Sequence, residues 1–410
     1  MSMNCEIISV GTELLLGEIV NLDAQTISQG LSEQGINVYY HTVVGDNPER
    51  LRQALAIAKE RADMIITTGG LGPTADDLTK ETIAAAFGKK LVMDPVQQKR
   101  LHERMGARMT PNNEKQAVLP EGCTVLENDW GTAPGCAFEA DGCRVIMLPG
   151  PPRECAPMFR ERVLPYLESL HEGVIRSRYI KIFGMGESEM ENRLSYLMDR
   201  LQNPTAAPYA KEGECLVRVT AKAPTEAEAY AMCEPVVREV CEVLGDVVYG
   251  VDVQSLEQVV VEGLRKRGMT AALAESCTGG LIARRITSVP GASEVFGCGL
   301  VTYSNEMKMQ LLGVSPETLA AHGAVSPETA IEMARGARKV GHADVGVGVT
   351  GIAGPGGGTA QKPVGLFYAA ISTPQGEQVI ERQRRNSTRE RVQLYASSCA
   401  LDLIRRTVLK

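Results

Sequence analysis

The chain has 410 residues, which is too long for one ordinary hydrophobic core and predicts two or three domains. Its apolar content of 44% and charged content of 23% exclude a largely disordered chain, and a formal net charge of −7 disfavours contact with nucleic acid. The sequence shows no run of about 18 apolar residues, no basic leader and no CxxC pair, so we expect a cytoplasmic protein with reduced cysteines and without membrane contact.

The first domain, predicted over residues 1–172, alternates short apolar strands with helices. Its strands are expected at residues 3–10, 37–44, 62–68 and 143–148, and its helices at residues 22–34 and from Asn47 onwards. This alternation is typical of βαβ units, so we expect a parallel sheet with ligands bound at the carboxyl ends of its strands.

Two further domains are predicted, at residues 173–252 and 253–410. The middle one is a smaller αβ unit without a constellation of catalytic residues. The third is again α/β, and its strand over residues 344–349 alternates valine with glycine. We expect a helix or a ligand to lie close against that glycine face.

The most informative segment of the first domain is residues 67–78, where a strand end runs through glycines into a helix. Its glycine amides can approach a diphosphate, and the carboxylates of Asp76 and Asp77 can take a hard cation that bridges the phosphates. A simpler interpretation is that both carboxylates only satisfy the helix dipole. Loops at later strand ends can complete the same pocket. The predicted nucleotide site consists of Gly69, Gly70, Gly72, Pro73, Thr74, Gly131, Thr132 and Gly150, with Asp76 and Asp77 as ligands of a divalent metal such as Mg²⁺.

In the third domain, Ser276 lies in a glycine-rich turn between a short strand and a helix. Free N–H groups of the turn and of the helix amino end can stabilise an oxyanion beside the hydroxyl. A turn that only packs explains the same residues. A serine needs a base to act as a nucleophile, and the candidates in this domain are Lys308, His322 and His342.

Lys308 follows a strand end at Tyr303 and is expected in the first turn of a helix, where the dipole disfavours a cation. A lysine at its ordinary pKa of about 10.4 is neutral about one time in a thousand near pH 7. Burial can lower the pKa of a lysine by about three, which would make Lys308 a usable base. A solvated surface lysine is the simpler interpretation.

A second glycine-rich loop, Val349–Gly358, follows the glycine-faced strand. Its amides can approach a phosphate or a ribose, but it matches neither GxGxxG nor the P-loop, and a flexible connection explains it equally well. Arg384, Arg385 and Arg389 can add positive charge for a nucleotide phosphate, or can form a solvated basic edge.

Motifs in chain order resemble the CinA family of competence/damage-inducible proteins. In the first half these are Thr12–Gly17, Gly69–Thr74, Gly131–Gly135 and Pro149–Glu154. In the last third they are Ala274–Gly280, Val301–Asn305, Gly323–Ser326 and Thr350–Pro355. The match covers nearly the whole chain.

This resemblance implies a multidomain α/β fold, with two three-layer α/β domains of mainly parallel sheets joined by a small KH-like α+β domain. The first domain is then molybdopterin-binding-like and, in the family, a metal-dependent ADP-ribose pyrophosphatase. The third is then a nicotinamide-nucleotide amidase that needs no cofactor. The family also implies a homodimer.

Carried onto this sequence, the resemblance assigns the amidase nucleophile to Ser276, with Tyr303 and Lys308 beside it and Thr350 near the substrate amide. We expect the amides of the two turn glycines to hold the oxyanion, and the second glycine loop with an arginine to hold the phosphate. Nicotinamide mononucleotide is then bound by Thr278, Gly279, Gly280, Asn305, Gly351, Gly354, Gly356, Arg384 and Arg389.

One segment departs from the family pattern. Where the family reads Thr-Asn-Ala, this chain has Asn21-Leu-Asp-Ala24. We expect Asp23 to add a negative charge near the phosphate site of the first domain, which argues against the pyrophosphatase activity.

Three alternatives stay open. Cys277 can replace Ser276 as nucleophile, paired with His322 or His342. The first domain can be a nucleotide- or pterin-binding module without turnover. The protein can also be a non-enzymatic partner in DNA uptake or repair, although its acidic balance argues against direct contact with DNA.

Overall fold

The computed structural model describes residues 3–170, 173–211 and 213–409. The chain divides into two compact units, Met1–Arg176 with Lys222–Ala229, and Ser177–Ala221 with Tyr230–Lys410. The predicted domain limits at residues 1, 172 and 410 lie outside the described residues, and the two predicted domain boundaries stay predictions. Among the described helices, none combines the length and apolar character of a membrane span.

The first unit alternates strands and helices, as predicted. Its strands are β1 (Asn4–Val10), β2 (Asn37–Val44), β3 (Met64–Thr68), β4 (Leu91–Met93), β5 (Val118–Pro120), β6 (Thr124–Leu126), β7 (Gly135–Ala140) and β8 (Cys143–Leu148). Its helices are α1 (Thr12–Leu16), α2 (Leu22–Glu33), α3 (Pro48–Arg61), α4 (Thr79–Ala86), α5 (Pro95–Met105), α6 (Pro152–Met158) and α7 (Leu164–Glu168).

Strands β2, β1, β3 and β8 run parallel in one sheet, which β7 and β6 extend with antiparallel pairs. The sequence pattern does not predict β6 and β7, because glycine and proline at residues 131–135 indicate a loop and not the approach to a strand. Alternate residues of the parallel strands pack with α3 and α4 on one face and with α2 and α6 on the other, which gives three layers.

The elements of residues 174–211 and 213–251 are β9 (Val174–Ile182), α8 (Glu187–Arg200), β10 (Thr205–Lys211), β11 (Glu214–Ala223), α9 (Glu226–Leu244) and β12 (Val248–Val251). The strand order is β10-β11-β9-β12. The sequence pattern does not predict β10, because Pro208 argues against a strand; β10 lies at an edge of the sheet, where proline is tolerated.

The rest of the second unit is again α/β. Its strands are β13 (Ala271–Glu275), β14 (Phe296–Val301), β15 (Val345–Gly351), β16 (Leu366–Thr373) and β17 (Gly376–Gln383). Its helices are α10 (Leu256–Lys266), α11 (Leu281–Thr287), α12 (Asn305–Leu312), α13 (Pro316–His322), α14 (Pro327–Val340) and α15 (Arg389–Val408). The sheet has the order β14-β13-β15-β16-β17 and is mixed: β14, β13 and β15 run parallel, and β16 and β17 pair antiparallel.

The glycine face of β15 is covered by a helix, as predicted. A Cβ atom at Gly346 would lie 2.1 Å from the carbonyl oxygen of Ala334, and one at Gly348 would lie 2.4 Å from that of Ala330, both in α14. The valine face packs in a core with α10, α11 and α15. This domain therefore also has three layers, with the carboxyl ends of β13, β14 and β15 at one edge.

Candidate active site

Residues that follow three neighbouring strands meet at this edge of the second-unit sheet. Glu275 of β13 pairs with Val301 of β14 and with Val349 of β15. The next residues continue the ladder: the N–H of Ser276 donates to the carbonyl of Val349 (3.0 Å), and the N–H of Thr302 donates to the carbonyl of Glu275 (2.9 Å). Ser276 is thus held by main-chain bonds where ligands bind in open α/β sheets.

The predicted nucleophile and base are in contact. Lys308 is the fourth residue of α12, its side chain is 1% exposed, and its Nζ lies 3.2 Å from Oγ of Ser276. The same Nζ donates to the carbonyl oxygens of Thr302 (2.9 Å) and Tyr303 (3.2 Å). The alternative of a solvated surface lysine is therefore wrong.

The surroundings of Lys308 favour its neutral form. Burial lowers the pKa of Lys308, and the neighbouring Cys277 and Glu306 only partly oppose this effect. A neutral amine has two N–H groups and one lone pair. In the structure Nζ lies within donor distance of Oγ of Ser276 and of the two carbonyls. In a neutral amine whose two N–H groups stay on the carbonyls, the lone pair would face the hydroxyl of Ser276.

The glycine amides that we predicted as oxyanion donors are occupied. The N–H of Gly279 donates to the carbonyl of Ser276 (3.1 Å) and closes a β-turn. The N–H of Gly280 donates to the carboxylate of Glu275 (3.0 Å). The prediction is wrong for these two amides, because both are used to shape the turn.

Two other amides of the same turn are free. Within the described ranges, the main-chain N–H groups of Cys277 and Thr278 donate to no main-chain carbonyl or carboxylate, and that of Cys277 faces only its own thiol. Both residues lie between Ser276 and Gly279, so these N–H groups are next to the nucleophile. The hydroxyl of Thr278, which we predicted to bind substrate, is itself buried and has no hydrogen-bond partner among the described residues.

The rival nucleophile has the wrong surroundings. The thiol of Cys277 is 5% exposed, and burial raises its pKa to about 12, so the reactive thiolate is disfavoured. His342 precedes β15 and therefore lies at the opposite edge of the sheet. His322 lies at the end of α13 with its ring 3.6 Å from Glu328. Neither histidine is hydrogen-bonded to Ser276 or Cys277.

Hydrogen bonds join Tyr303, which we predicted as a catalytic residue, to two predicted substrate residues. Arg389, the first residue of α15, donates to the hydroxyl of Tyr303 (2.9 Å) and to the carbonyl of Gly354 (2.7 Å). The ring of Tyr303 is 61% exposed, so it lines the open side of the site. The phenol makes no hydrogen bond with Lys308; only the main-chain carbonyl of Tyr303 does.

Thr350 and Gly351 end β15 beside the serine. Thr350 is buried and donates its hydroxyl to the carbonyl of Ala324 (2.7 Å). Gly351 pairs with Phe367, and a Cβ atom there would lie 2.4 Å from Cβ of Phe367. Gly351 is therefore required by strand packing, a role that the sequence prediction did not assign.

The remaining predicted substrate residues are exposed or lie elsewhere. Asn305 is the exposed first residue of α12, and Gly356 is exposed with no atom near its Cβ direction. The guanidinium of Arg384 lies 5.2 Å from the ring centre of Tyr395, and the structure gives it no contact with the glycine loop. Arg389 is thus the arginine that the structure brings to this loop.

The sequence pattern does not reveal two residues that hold the turn. Glu275 accepts main-chain N–H groups beyond the turn, and Gln393 donates its Nε2 to the carbonyl of Cys277 (2.8 Å). A carboxylate just ahead of a helix start is a signal for the first. The spacing of four from Arg389 on one helix is a signal for the second.

The first unit has a cleft of about 490 Å³ at the carboxyl ends of β1, β3 and β8. This volume is in the range of nucleotide-sized ligand sites. The predicted residues that line it are Gly69, Gly70, Gly72, Pro73, Thr74, Asp76, Asp77, Thr132 and Gly150. Gly131 lines a neighbouring pocket that shares Thr132 with the cleft.

Close backbone packing explains the glycines of the cleft. Gly69 has a positive φ of 92°, and a Cβ atom there would lie 2.1 Å from the carbonyl oxygen of Val10. A Cβ atom at Gly150 would lie 3.0 Å from Cα of Gly69. The three strand ends can approach one another only because these positions lack side chains.

The cleft is acidic. Among its described lining residues there is no lysine or arginine, whereas five carry carboxylates: Glu13, Asp46, Asp76, Asp77 and Glu154. No group of three or more His, Cys, Asp or Glu side chains is pre-assembled for a metal in the described ranges. A cation would therefore have to bind together with a phosphate ligand, which is the usual manner for Mg²⁺.

The two predicted metal ligands differ. Asp77 accepts both the main-chain N–H (2.9 Å) and the hydroxyl of Thr74, so it braces the loop. Asp76 is exposed, and a hydrogen bond from Thr74 lowers the pKa of its carboxyl. Outside the acidic lining, Lys115 donates to the main-chain carbonyls of Thr74 and Asp77, a contact that the sequence pattern does not indicate. Asp76 is therefore the better candidate for a cation.

Asp23 does not lie at the predicted phosphate site. It is 6% exposed in α2, next to the thiol of Cys155 in α6, and it does not line the cleft. Burial raises the pKa of its carboxyl to about 6. The prediction of a negative charge near the phosphate site is therefore wrong. Asp23 is the second residue of α2, and this position faces α6.

The chain matches three known domain families in order. Residues 6–169 match the family described as a probable molybdopterin binding domain, residues 177–250 the damage-inducible protein CinA KH domain, and residues 253–408 the CinA C-terminal domain.

Similar proteins cover its whole length. It is 50% identical over 410 residues to a CinA-like protein of Dictyoglomus turgidum (99% of this chain, 100% of that protein), and 51% identical over 411 residues to one of Dictyoglomus thermophilum (99% and 100%). A crystal structure of competence/damage inducible protein CihA from Agrobacterium tumefaciens is 42% identical, covering 36% of this chain and 91% of that one with a TM-score of 0.35. The chain therefore belongs to the CinA family of competence/damage-inducible proteins.

Proposed function

We propose that the third domain hydrolyses the carboxamide of nicotinamide mononucleotide to nicotinate mononucleotide and ammonia, with Ser276 as nucleophile and Lys308 as base. The observation that carries this proposal is the 3.2 Å separation of Nζ and Oγ, with the amine 1% exposed and hydrogen-bonded otherwise only to carbonyls. This is the arrangement of a serine activated by a neutral lysine.

The first half of the reaction forms an ester. Oγ of Ser276 attacks the carboxamide carbon while Nζ of Lys308 takes the hydroxyl proton, and the carbonyl electron pair moves to oxygen. The free N–H groups of Cys277 and Thr278 are the donors available to this oxyanion. When the carbon–nitrogen bond breaks, Lys308 returns its proton to the leaving nitrogen, so ammonia departs.

The second half releases the acid. A water molecule gives a proton to Lys308 and attacks the ester carbon, which moves the carbonyl electron pair to oxygen and forms a second oxyanion beside the same N–H groups. The ester bond then breaks, and the proton passes from Lys308 to Oγ of Ser276. Every proton transfer in this scheme uses Lys308.

The loop of residues 354–358 supports a phosphorylated substrate. Within the described ranges the N–H groups of Gly356, Gly357 and Gly358 have no protein acceptor. Arg389 donates one N–H group to Gly354 and one to Tyr303. A guanidinium has five N–H groups, so others are available for a phosphate. Amides and a fixed cation beside a reactive serine favour an anionic nucleotide amide over a neutral one.

A second activity, metal-dependent hydrolysis of ADP-ribose or a related diphosphate, is favoured for the first domain by its acidic cleft. Five carboxylates line the cleft and no basic side chain is among its described lining residues, so they repel a diphosphate unless a divalent metal such as Mg²⁺ comes with it. When bound, that metal would neutralise the phosphates; Asp76 would hold it, and Asp77 would keep the loop in place.

The decisive experiment measures ammonia and nicotinate mononucleotide formed from nicotinamide mononucleotide by the full chain. Ser276→Ala should lower kcat by at least about 10³-fold, because it removes the nucleophile. Cys277→Ala is the matched control and should stay within about twofold of the wild-type rate, because its thiol is buried and protonated. The proposal fails if Ser276→Ala keeps activity or if Cys277→Ala loses it.

A further inference from the structure

A buried carboxylate directly before the nucleophile turn has no part in the steps above. Glu275 is 1% exposed, and its Oε2 accepts the N–H groups of Gly280 (3.0 Å) and Ile282 (3.1 Å), while its Oε1 accepts that of Ala283 (2.8 Å). Helices leave such amides without partners at their amino ends. The N-cap of α11, Gly280, has no side chain to serve them, so Glu275 supplies the cap from the end of β13.

These bonds fix both ends of the turn. Glu275 ends the strand that leads into Ser276, and the amides that it holds begin the helix that leads out of the turn. On the other side of the turn, Gln393 of α15 donates to the carbonyl of Cys277 (2.8 Å). The same Nε2 would lie 3.9 Å from a Cβ atom at Gly279, so Gln393 lies directly against the turn.

The two carbonyls of the turn determine where its free amides point. In a trans peptide the C=O and the following N–H point in opposite directions. The carbonyl of Ser276 accepts from Gly279, which orients the N–H of Cys277 away from the inside of the turn. The carbonyl of Cys277 accepts from Gln393, which orients the N–H of Thr278 away from α15.

We propose that Glu275 and Gln393 are positioning residues for the reaction at Ser276. Gln393 holds the peptide plane that carries the N–H of Thr278, and Glu275 anchors the helix start into which the turn leads. Together they keep in place the N–H groups that receive the negative charge of the tetrahedral intermediate. Donors that are fixed before the reaction stabilise such charge without reorganisation. This inference rests on the proposed amidase function. Gln393 acts through the carbonyl of Cys277, and Glu275 acts through the main-chain N–H groups of the residues that follow the turn.

The test compares three variants of the full chain. Glu275→Gln keeps the size of the side chain but turns an amide NH₂ against main-chain N–H groups. Gln393→Leu removes the donor to the carbonyl of Cys277. Asp344→Asn is the matched control, since Asp344 accepts the N–H of Thr270 (2.8 Å) at the opposite end of β13 and β15.

We expect Glu275→Gln to lower kcat by about 10- to 100-fold and Gln393→Leu by about fivefold, with KM within about twofold, because the lost interactions act on the transition state. Asp344→Asn should keep kcat within about twofold. The rise of kcat with pH should keep its midpoint in both positioning variants, because the surroundings of Lys308 are unchanged. A general collapse of the site would move this midpoint.

A second readout does not depend on the substrate. The rate at which phenylmethylsulfonyl fluoride sulfonylates Ser276, followed by mass spectrometry of the intact chain, should fall in the same order. The inference is overturned if Glu275→Gln and Gln393→Leu are labelled at the wild-type rate, or if Asp344→Asn loses as much. If Glu275→Gln does not fold, the labelling rate of Gln393→Leu alone tests the inference. If the wild type is labelled at Ser276 but releases no ammonia, the amidase proposal fails while the labelling rates still decide this one.

Discussion

The two strand-end sites of this chain differ in the charge that they enclose. In the second unit one buried lysine is surrounded by a serine hydroxyl and two main-chain carbonyls, without a carboxylate partner. In the first unit an open cleft is lined by five carboxylates and, among its described residues, by no basic side chain. The first arrangement can activate a nucleophile with protein groups alone, whereas the second needs a counter-charge that arrives with the ligand. Similar α/β scaffolds thus support different chemistry through the few side chains at their strand ends.

The largest effect is expected from the lysine. Lys308→Met keeps a long apolar side chain in the same space but removes the base, so kcat for ammonia release should fall by about 10³- to 10⁴-fold. Lys308→Arg is the matched control for charge, and it should be equally inactive because a guanidinium does not deprotonate. Either variant with more than a tenth of wild-type activity would show that another group accepts the serine proton.

The pH profile sharpens the same point. Lys308 acts as a base only when deprotonated, so kcat should be low in acid and rise as the pH passes through its pKa. Because burial lowers the pKa of Lys308, the midpoint should lie below the ordinary lysine value of 10.5. A midpoint at or above 10.5, measured from initial rates over a range of pH, would mean that the amine is solvated during turnover.

In the first unit we expect a smaller effect that depends on metal. Asp76→Asn should lower Mg²⁺-dependent hydrolysis of ADP-ribose by about 10- to 100-fold, because it removes the exposed carboxylate that can reach a cation. Amidase activity of the same protein serves as the internal control and should not change. ADP-ribose hydrolysis that persists in excess chelator would remove the contrast between the two sites.

The smallest effect concerns stability. The pKa of Asp23 is about 6 in the folded chain and about 3.8 when unfolded, so ionisation opposes folding. The cost is absent below pH 4, grows between pH 4 and 6, and reaches about 2 to 3 kcal/mol above pH 6. Asp23→Asn should therefore raise the melting temperature of the first unit at pH 7.5 and leave it nearly unchanged at pH 4, as followed by calorimetry.

The control for this change is Asp141→Asn in the same unit. Asp141 is exposed and paired with Lys59, so its loss should change stability by less than about 1 kcal/mol at both pH values. The prediction is wrong if Asp23→Asn does not raise the melting temperature at pH 7.5, or if it raises the melting temperature equally at pH 4. Either result would show that ionisation of the Asp23 carboxyl carries no desolvation cost.

Much of the fold is predictable from local patterns. Glycine closes β1 and β3, the N-cap asparagine Asn47 with a following proline begins α3, and the alternation in β15 predicts the helix that covers it. The sequence does not predict β4, β5, β6, β7 and β10; the first two and β6 have three residues each, and β10 carries Pro208. They exist because neighbouring strands offer partners for their main-chain groups, and a local pattern does not record such long-range pairing.

The site shows the same division. Ser276, Lys308, Tyr303 and Arg389 could be named from motifs and resemblance, because each residue type and place in the chain is visible in the sequence. Which groups of these residues act could not: the tyrosine contributes its carbonyl to the lysine and its phenol to the arginine. Arg384 could not be separated from Arg389 by sequence, because both lie near the start of the last helix.

By itself the sequence determined the order of strands and helices, the glycine positions where backbones come close, and the residue types of both sites. Only the tertiary structure decided that the amine of Lys308 is buried and that Asp23 lies away from the cleft. It also decided that the N–H groups of the turn glycines are occupied, whereas those of Cys277 and Thr278 are available. Burial and hydrogen-bond partners depend on elements far apart in the chain, so they arise when the strand ends and helices meet.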